Sequence, residues 1–214
     1  MKHVMIDIET LGRNAGCVVL SIAAVEFNPL VPLEQLVKEN NTLNRDCVIV
    51  DSMSYNISVL SQLLDGAEIE TATLDWWRKQ GKEAQDALLH WQSGDMKTVL
   101  KNLRDFLMRG IDDVKDLTIW SQGTDFDISI LRSLYYKYYG SDSEPWSHTN
   151  IRDSRTLIFA LGAVFGAKDP YTLVPSIPSL TNHNAVDDAI RAACNVTYLS
   201  ALFEDRMEGV ELLP

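Results

Sequence analysis

The segment Lys2-His-Val-Met-Ile-Asp7-Ile-Glu9-Thr10-Leu-Gly12 is an apolar strand that ends in two acids two residues apart. On a strand, residues i and i+2 project from the same face, so the Asp7 and Glu9 carboxylates stand side by side. Two adjacent carboxylates repel, and one is driven neutral unless a cation sits between them. Mg²⁺ and Mn²⁺ favour such oxygen ligands. The plainer alternative is an exposed strand end leading into a turn at Gly12, and an Asp-x-Glu pair alone does not exclude it.

Working outward, residues 17–27 are β-branched and apolar and form a second strand. The short Gly12–Gly16 turn between the two favours an antiparallel hairpin. A third strand is expected at Cys47–Asp51 or at Tyr55–Val59. From Thr71 the pattern becomes helical, with Thr71 or Thr73 as the cap, followed by helices over Lys82–Trp91 and Met96–Arg109. Leu117–Trp120 reads as a strand, Asp125–Tyr139 as a helix, residues 152–165 as another, and Asn184 to about Asp205 as the last. Strands and helices in this order indicate a mixed α/β sheet, not a uniform βαβ series. Residues 1–214 are read as a single domain with a helical and irregular insertion around 52–110.

Two further places carry acids. In Trp120-Ser-Gln-Gly-Thr-Asp-Phe-Asp127 an apolar strand passes through a Gly-containing turn into a helix. Asp127 shares a helix face with Ile130, Leu131 and Leu134, which points it at the sheet. Thr124-x-x-Asp127 equally fits a capping box. In His183-Asn-Ala-Val-Asp-Asp188, Asn184 is a good cap that Asp187 completes, and Asp187 precedes Arg191 at ion-pair spacing. Asp188 instead shares the apolar stripe of Ala185, Ala192 and Leu199, where an acid needs a partner. His183 ends the long stretch Gly166–Asn182, whose three prolines and lack of periodicity suit either a lid or a stiff connector. A histidine there can exchange a proton near neutral pH.

Bulk properties bound the possibilities. At 214 residues, 46% hydrophobic and 23% charged, the chain can bury a full core without disulfides. Cys17, Cys47 and Cys194 are widely spaced, with no CxxC pair, and read as reduced thiols of a cytoplasmic protein. The apolar start is interrupted at Asp7, so no signal peptide is expected, and no segment approaches eighteen apolar residues, so no membrane span is expected either. The net charge of −11 opposes a broad electrostatic grip on nucleic acid. Divalent cations at the acids would offset part of it, and a local patch of Arg132, Lys137, Arg152, Arg155 and Lys168 could offset more. Trp76-Trp77 suits one core and one rim residue, or a base-stacking platform. Asp153 suits a helix cap or an acid behind the ligands.

Asp-x-Glu near residue 7, then Gly-x-x-Phe-Asp127, then His183-x(4)-Asp188 resembles, in this order, the DEDD superfamily of 3′→5′ exonucleases in its histidine-containing, DnaQ-like branch. Asp7-Ile-Glu-Thr-Leu-Gly12 is similar to that family's first motif. Trp120-x-x-Gly-x-x-Phe-Asp127-Ile-x-Ile-Leu131 and Thr73-Leu-Asp-Trp-Trp-Arg-Lys-Gln80 look more like the phage DNA exonuclease A group and related Rv-type exoribonuclease-like domains. Many DnaQ-like members carry His-Asn-Ala-x-Phe-Asp in the second motif, where this chain has Gln122-Gly-Thr-Asp-Phe-Asp127. The resemblance implies an RNase H-like fold, a mixed five-stranded sheet flanked by helices. It implies that Asp7, Glu9, Asp127 and Asp188 hold two Mg²⁺ or Mn²⁺ ions and that His183 is a general base. Thr10, Leu11 and Phe126 would contact the substrate. The partners expected are single-stranded nucleic acid 3′ ends, DNA over RNA, with a homodimer left open. A non-catalytic nucleic-acid-binding module on the same fold is the alternative.

Overall fold

A computed structural model describes residues 1–88 and 93–208. β1 (Lys2–Thr10) and β2 (Val19–Phe27) form the expected antiparallel hairpin, with Val4 opposite Glu26 and Asp7 opposite Ala23. β3 (Ile49–Ile57) extends it antiparallel to β2. β3 overlaps both segments that the sequence offered as alternatives. It was hard to delimit because Asp51, Ser52, Ser54 and Asn56 interrupt its apolar pattern. A two-residue strand, β4 (Ser93–Gly94), lies parallel on its outer edge. On the other side of β1, β5 (Leu117–Ser121) and β6 (Ile151–Asp153) are parallel additions. The order is β4-β3-β2-β1-β5-β6. The five longer strands are the mixed sheet that the sequence predicts. β6 has only three residues, too few for periodicity to reveal.

The helices are α1 (Leu33–Leu36), α2 (Val59–Leu64), α3 (Thr71–Trp77), α4 (Lys82–Leu88), α5 (Met96–Met108), α6 (Asp127–Tyr139), α7 (Ser154–Val164) and α8 (Ala185–Met207). The end of the helix expected over 82–91 lies outside the described residues. β1 divides its side chains between two cores by strand alternation. Val4, Ile6 and Ile8 face α5 and α6, packing with Leu103, Ile130 and Leu134. Met5 faces α8, among Ala189, Ala192, Ala193 and Val196. Alanines along α8 allow its backbone to lie close on the sheet. Asp7 and Glu9 continue the Met5 side of the pleat, and so emerge beside the start of α8. No helix among the described residues is long and apolar enough to cross a membrane. Cys17, Cys47 and Cys194 are free thiols.

A smaller cluster of Leu11, Val18, Leu20, Trp77 and Ala84 joins the hairpin to α3 and α4. Two polar devices fix this attachment. Gln62, only 2% exposed, accepts from the Val19 amide at 2.9 Å and donates to the Val19 carbonyl at 2.7 Å. Its side chain thereby substitutes for a strand neighbour just where the β1–β2 register slips. Glu70 accepts from the Arg13 amide at 2.8 Å and from Asn14 Nδ2 at 3.1 Å. Glu70, not Thr71 or Thr73, precedes α3 and leaves it without a side-chain cap, because that carboxylate is engaged by the hairpin. Removing the Gln62 amide leaves two buried backbone groups unpaired, which costs about 2 kcal/mol. In a chain of this size Gln62→Leu should lower the melting temperature by about 4–8 °C; a change below about 1 °C would contradict the clamp.

Candidate active site

The site forms where β1, the start of α6 and the start of α8 converge. The register slip between Glu9 and Thr10 is a bulge that ends regular pairing, a common device for re-aiming side chains at a sheet rim. Beyond it, the Thr10 carbonyl accepts from Trp77 Nε1 at 2.8 Å. The β5–α6 turn passes through Gly123 at φ +117, a conformation that L side chains rarely adopt. This turn directs Asp127 inward, where it is 3% exposed and accepts from the Ile8 amide at 3.2 Å. The capping box with Thr124 does not form: the Thr124 amide donates to Asp153 at 3.1 Å, and Asp153 caps α7 through Thr156 at 2.8 Å.

At α8, Asn184 is the cap, accepting from the Asp187 amide. His183 has a left-handed backbone, φ 59, and its amide donates to Asp188 Oδ2 at 2.9 Å. Arg191 pairs with Asp188, not with Asp187 as its spacing suggested. The i+3 partner is the one oriented toward it. Asp187 instead accepts from the Thr181 amide at 2.9 Å and anchors the incoming loop. That loop is packed: Leu173, Val174 and Ile177 lie against the second core, and the Leu43 amide donates to the Ser176 carbonyl at 3.0 Å. Ligand atoms of Glu9, His183 and Asp188 all lie within 4.8 Å of one another. His183 thus already faces the acids, which favours a stiff connector over a lid.

The electrostatics are those of unmet negative charge. Burial, reinforced by Asp127, Glu9 and Asp188, raises the Asp7 carboxyl well above its ordinary range, with Arg191 opposing. Burial, with Asp188 and Asp127, pushes Glu9 up to about 8. Burial pushes Asp127 up to about 7 despite the Ile8 amide. Hard oxygen donors this close, and this reluctant to ionise, fit a divalent cation.

Two cavities flank the acids. One, of about 420 Å³, is largely apolar, with Ile8, Glu9, Thr10, Trp76, Trp77 and Phe126 in its wall. Trp77 is core and Trp76 is rim, 42% exposed, and the Trp76 ring stands edge-to-face 4.8 Å from that of His183. Leu11 is buried in the hairpin cluster beneath. The other, of about 410 Å³, is lined by polar and charged side chains, Asp7, His183 and Asp188 with Arg155, Tyr171 and Arg191 among them. The rest of the basic patch is dispersed: Arg132 pairs with Glu144 and Lys137 donates to the Asp65 carbonyl. No local pattern pointed to Tyr171 or to Trp76 beside His183, because only the tertiary fold makes them neighbours.

Comparison with known proteins identifies the class first. The fold is that of exonuclease I. The zinc-bound complex of the E. coli enzyme with single-stranded DNA superimposes with a TM-score of 0.60 at 13% identity, covering 96% of this chain and 42% of that one. A product-bound exonuclease I structure gives 0.57 at 13% identity, covering 96% and 44%. This chain therefore spans less than half the length of those proteins. No curated protein matches the sequence significantly. Residues 2–200 match the Rv2179c-like 3′-5′ exoribonuclease domain. The chain belongs to this family, and the resemblance to histidine-containing DEDD exonucleases holds.

The raised carboxyls have a signed consequence. Between pH of about 4, where unfolded acids titrate, and about 7 for Asp127 or about 8 for Glu9, these folded carboxyls, with the raised Asp7, keep protons that the unfolded chain has released. Stability of the metal-free protein should therefore fall as pH rises through that window. Melting curves in chelator should show a decline from pH 5 to 8 that Glu9→Gln reduces and excess Mn²⁺ cancels. A flat profile in chelator would contradict the raised carboxyls.

Proposed function

We propose that the chain is a metal-dependent 3′→5′ exonuclease that releases nucleoside 5′-monophosphates from single-stranded ends. The observation that carries this reading is the convergence of three carboxyls of raised pKa with Asp188 and His183, between an apolar and a polar cavity. Asp7, Glu9, Asp127 and Asp188 would hold two Mg²⁺ or Mn²⁺ ions. Bound there, such ions acidify water and offset charge on the phosphodiester during in-line displacement. His183 accepts a proton from the attacking water as the P–O3′ bond to the penultimate nucleotide breaks, and the leaving 3′ oxygen takes a proton from solvent water. Trp76 restrains the His183 ring. Thr10 and Phe126 form the seat for the terminal nucleoside, with Leu11 buried beneath it.

The description of the family favours RNA as the substrate, whereas the sequence likeness to DNA exonuclease A leans to DNA. Matched DNA and RNA oligonucleotides, labelled at either end and incubated with Mn²⁺, decide between them. Release of 5′-monophosphates from the 3′ end of either supports the reading, and no release from both defeats it. Asp7→Asn and Asp188→Asn should abolish turnover with the fold retained. Asp187→Asn should keep most activity, since asparagine still offers an acceptor to Thr181.

The 4.8 Å grouping of Glu9, His183 and Asp188 also suits a shared ion, which gives His183 a second reading as a ligand. As a base, His183→Ala should lose roughly two to four orders of magnitude in turnover with Mn²⁺ affinity little changed. Loss of Mn²⁺ binding in calorimetry would instead make it a ligand.

A further inference from the structure

The cavity that holds Arg155, Tyr171 and Asn195 lies outside the seat proposed for the terminal nucleoside, and its donors suit an anion. Arg155 enters it from the first turn of α7. The chain has 30 acidic residues against 19 Lys and Arg, yet Arg155 has no carboxylate within ion-pair distance among the described residues. Its one hydrogen bond runs from Nη2 to the Gln122 carbonyl at 2.9 Å. A guanidinium has five N–H donors, so most of its capacity is unused. Gln122 itself donates to the Tyr171 hydroxyl at 3.3 Å, and both line the cavity. Asn195, only 5% exposed as a residue, lines the same cavity with its side-chain amide available to it. The Asn195 amide, a guanidinium fork with spare donors and a tyrosine hydroxyl around one space form a set of donors for a phosphate.

The two cavities share the acids between them. Glu9 borders the apolar one, whereas Asp7, His183 and Asp188 border the polar one. A strand whose last nucleoside fills the apolar side and whose scissile phosphate lies at the acids must continue into the polar side. We propose that Arg155, with Tyr171 and Asn195, binds the phosphate of the second internucleotide linkage, one step 5′ of the bond that is cut. This subsite rests on the exonuclease reading above. It gives a chain of net charge −11 one localised cationic contact with its substrate.

A neutral methylphosphonate placed singly at the second or the third linkage of an oligonucleotide tests the assignment. With wild-type protein and Mn²⁺, kcat/KM for first-nucleotide release should fall about ten- to a hundredfold when the second linkage is neutral, the range for one charge-assisted contact. Neutralising the third linkage should change little. Arg155→Gln should lose a similar factor on the unmodified strand and lose little more when the second linkage is also neutral, since both changes delete one contact. Arg155→Lys should recover part of the loss. Equal sensitivity to the second and third linkages, or losses that multiply in Arg155→Gln, would overturn the subsite. Absence of monophosphate release from the unmodified strand by wild-type protein would instead defeat the exonuclease reading itself.

Discussion

The site depends on one electrostatic conflict. Asp7, Glu9 and Asp127 are drawn together at the end of an apolar sheet, where burial makes all three harder to ionise and neighbouring acids add to this for Asp7 and Glu9. Burying charge without a partner is strongly unfavourable, so the fold must over-determine the placement of these acids. It does so with rigid parts. The β1 pleat fixes Asp7 and Glu9 relative to Met5 and the α8 core. The Ile8 amide fixes Asp127. The His183 amide and Arg191 fix Asp188. Arg191 is the sole cation that the described residues bring against these acids by ion pairing, and it meets only Asp188.

The surroundings divide the work. On one side the segment between β3 and α5 docks α3 through Trp77 and Glu70, which leaves Trp76 at the rim over His183. On the other side α7 and the proline-containing loop bring Arg155 and Tyr171 to a polar wall. On the proposed reading, a strongly acidic protein meets a polyanion through an apolar seat, a metal-binding centre and a local donor set. Such an arrangement makes affinity depend on cations and on the end of the strand more than on its length.

Much of this was legible in the sequence for specific reasons. β1 and β2 are long and β-branched, so their periodicity is clear, and the acids at β1's end violate it. Asp188 was separable from Asp187 by helix phase alone, and the structure places Asp188 at the acids and Asp187 on Thr181. Local rules failed where tertiary contacts compete with them. Thr124 and Asp127 fit a capping box, but Asp153 and the Ile8 amide claim them. Arg191 fitted an i,i+4 pair and took the i+3 acid. β6 is too short to carry a pattern, and β3 is half exposed. Asn195 sits within a helical run and gives no local sign that it opens into a cavity.

Burial biases Asp7, Glu9 and Asp127 toward their protonated forms, so a cation binding at these acids must expel protons. Calorimetric titration of Mn²⁺ into the metal-free protein near pH 7, in two buffers of different ionisation enthalpy, measures that exchange directly. The account predicts binding with net release of protons to the buffer, reduced in Glu9→Gln. Binding with no buffer dependence, or no binding at all, would contradict it.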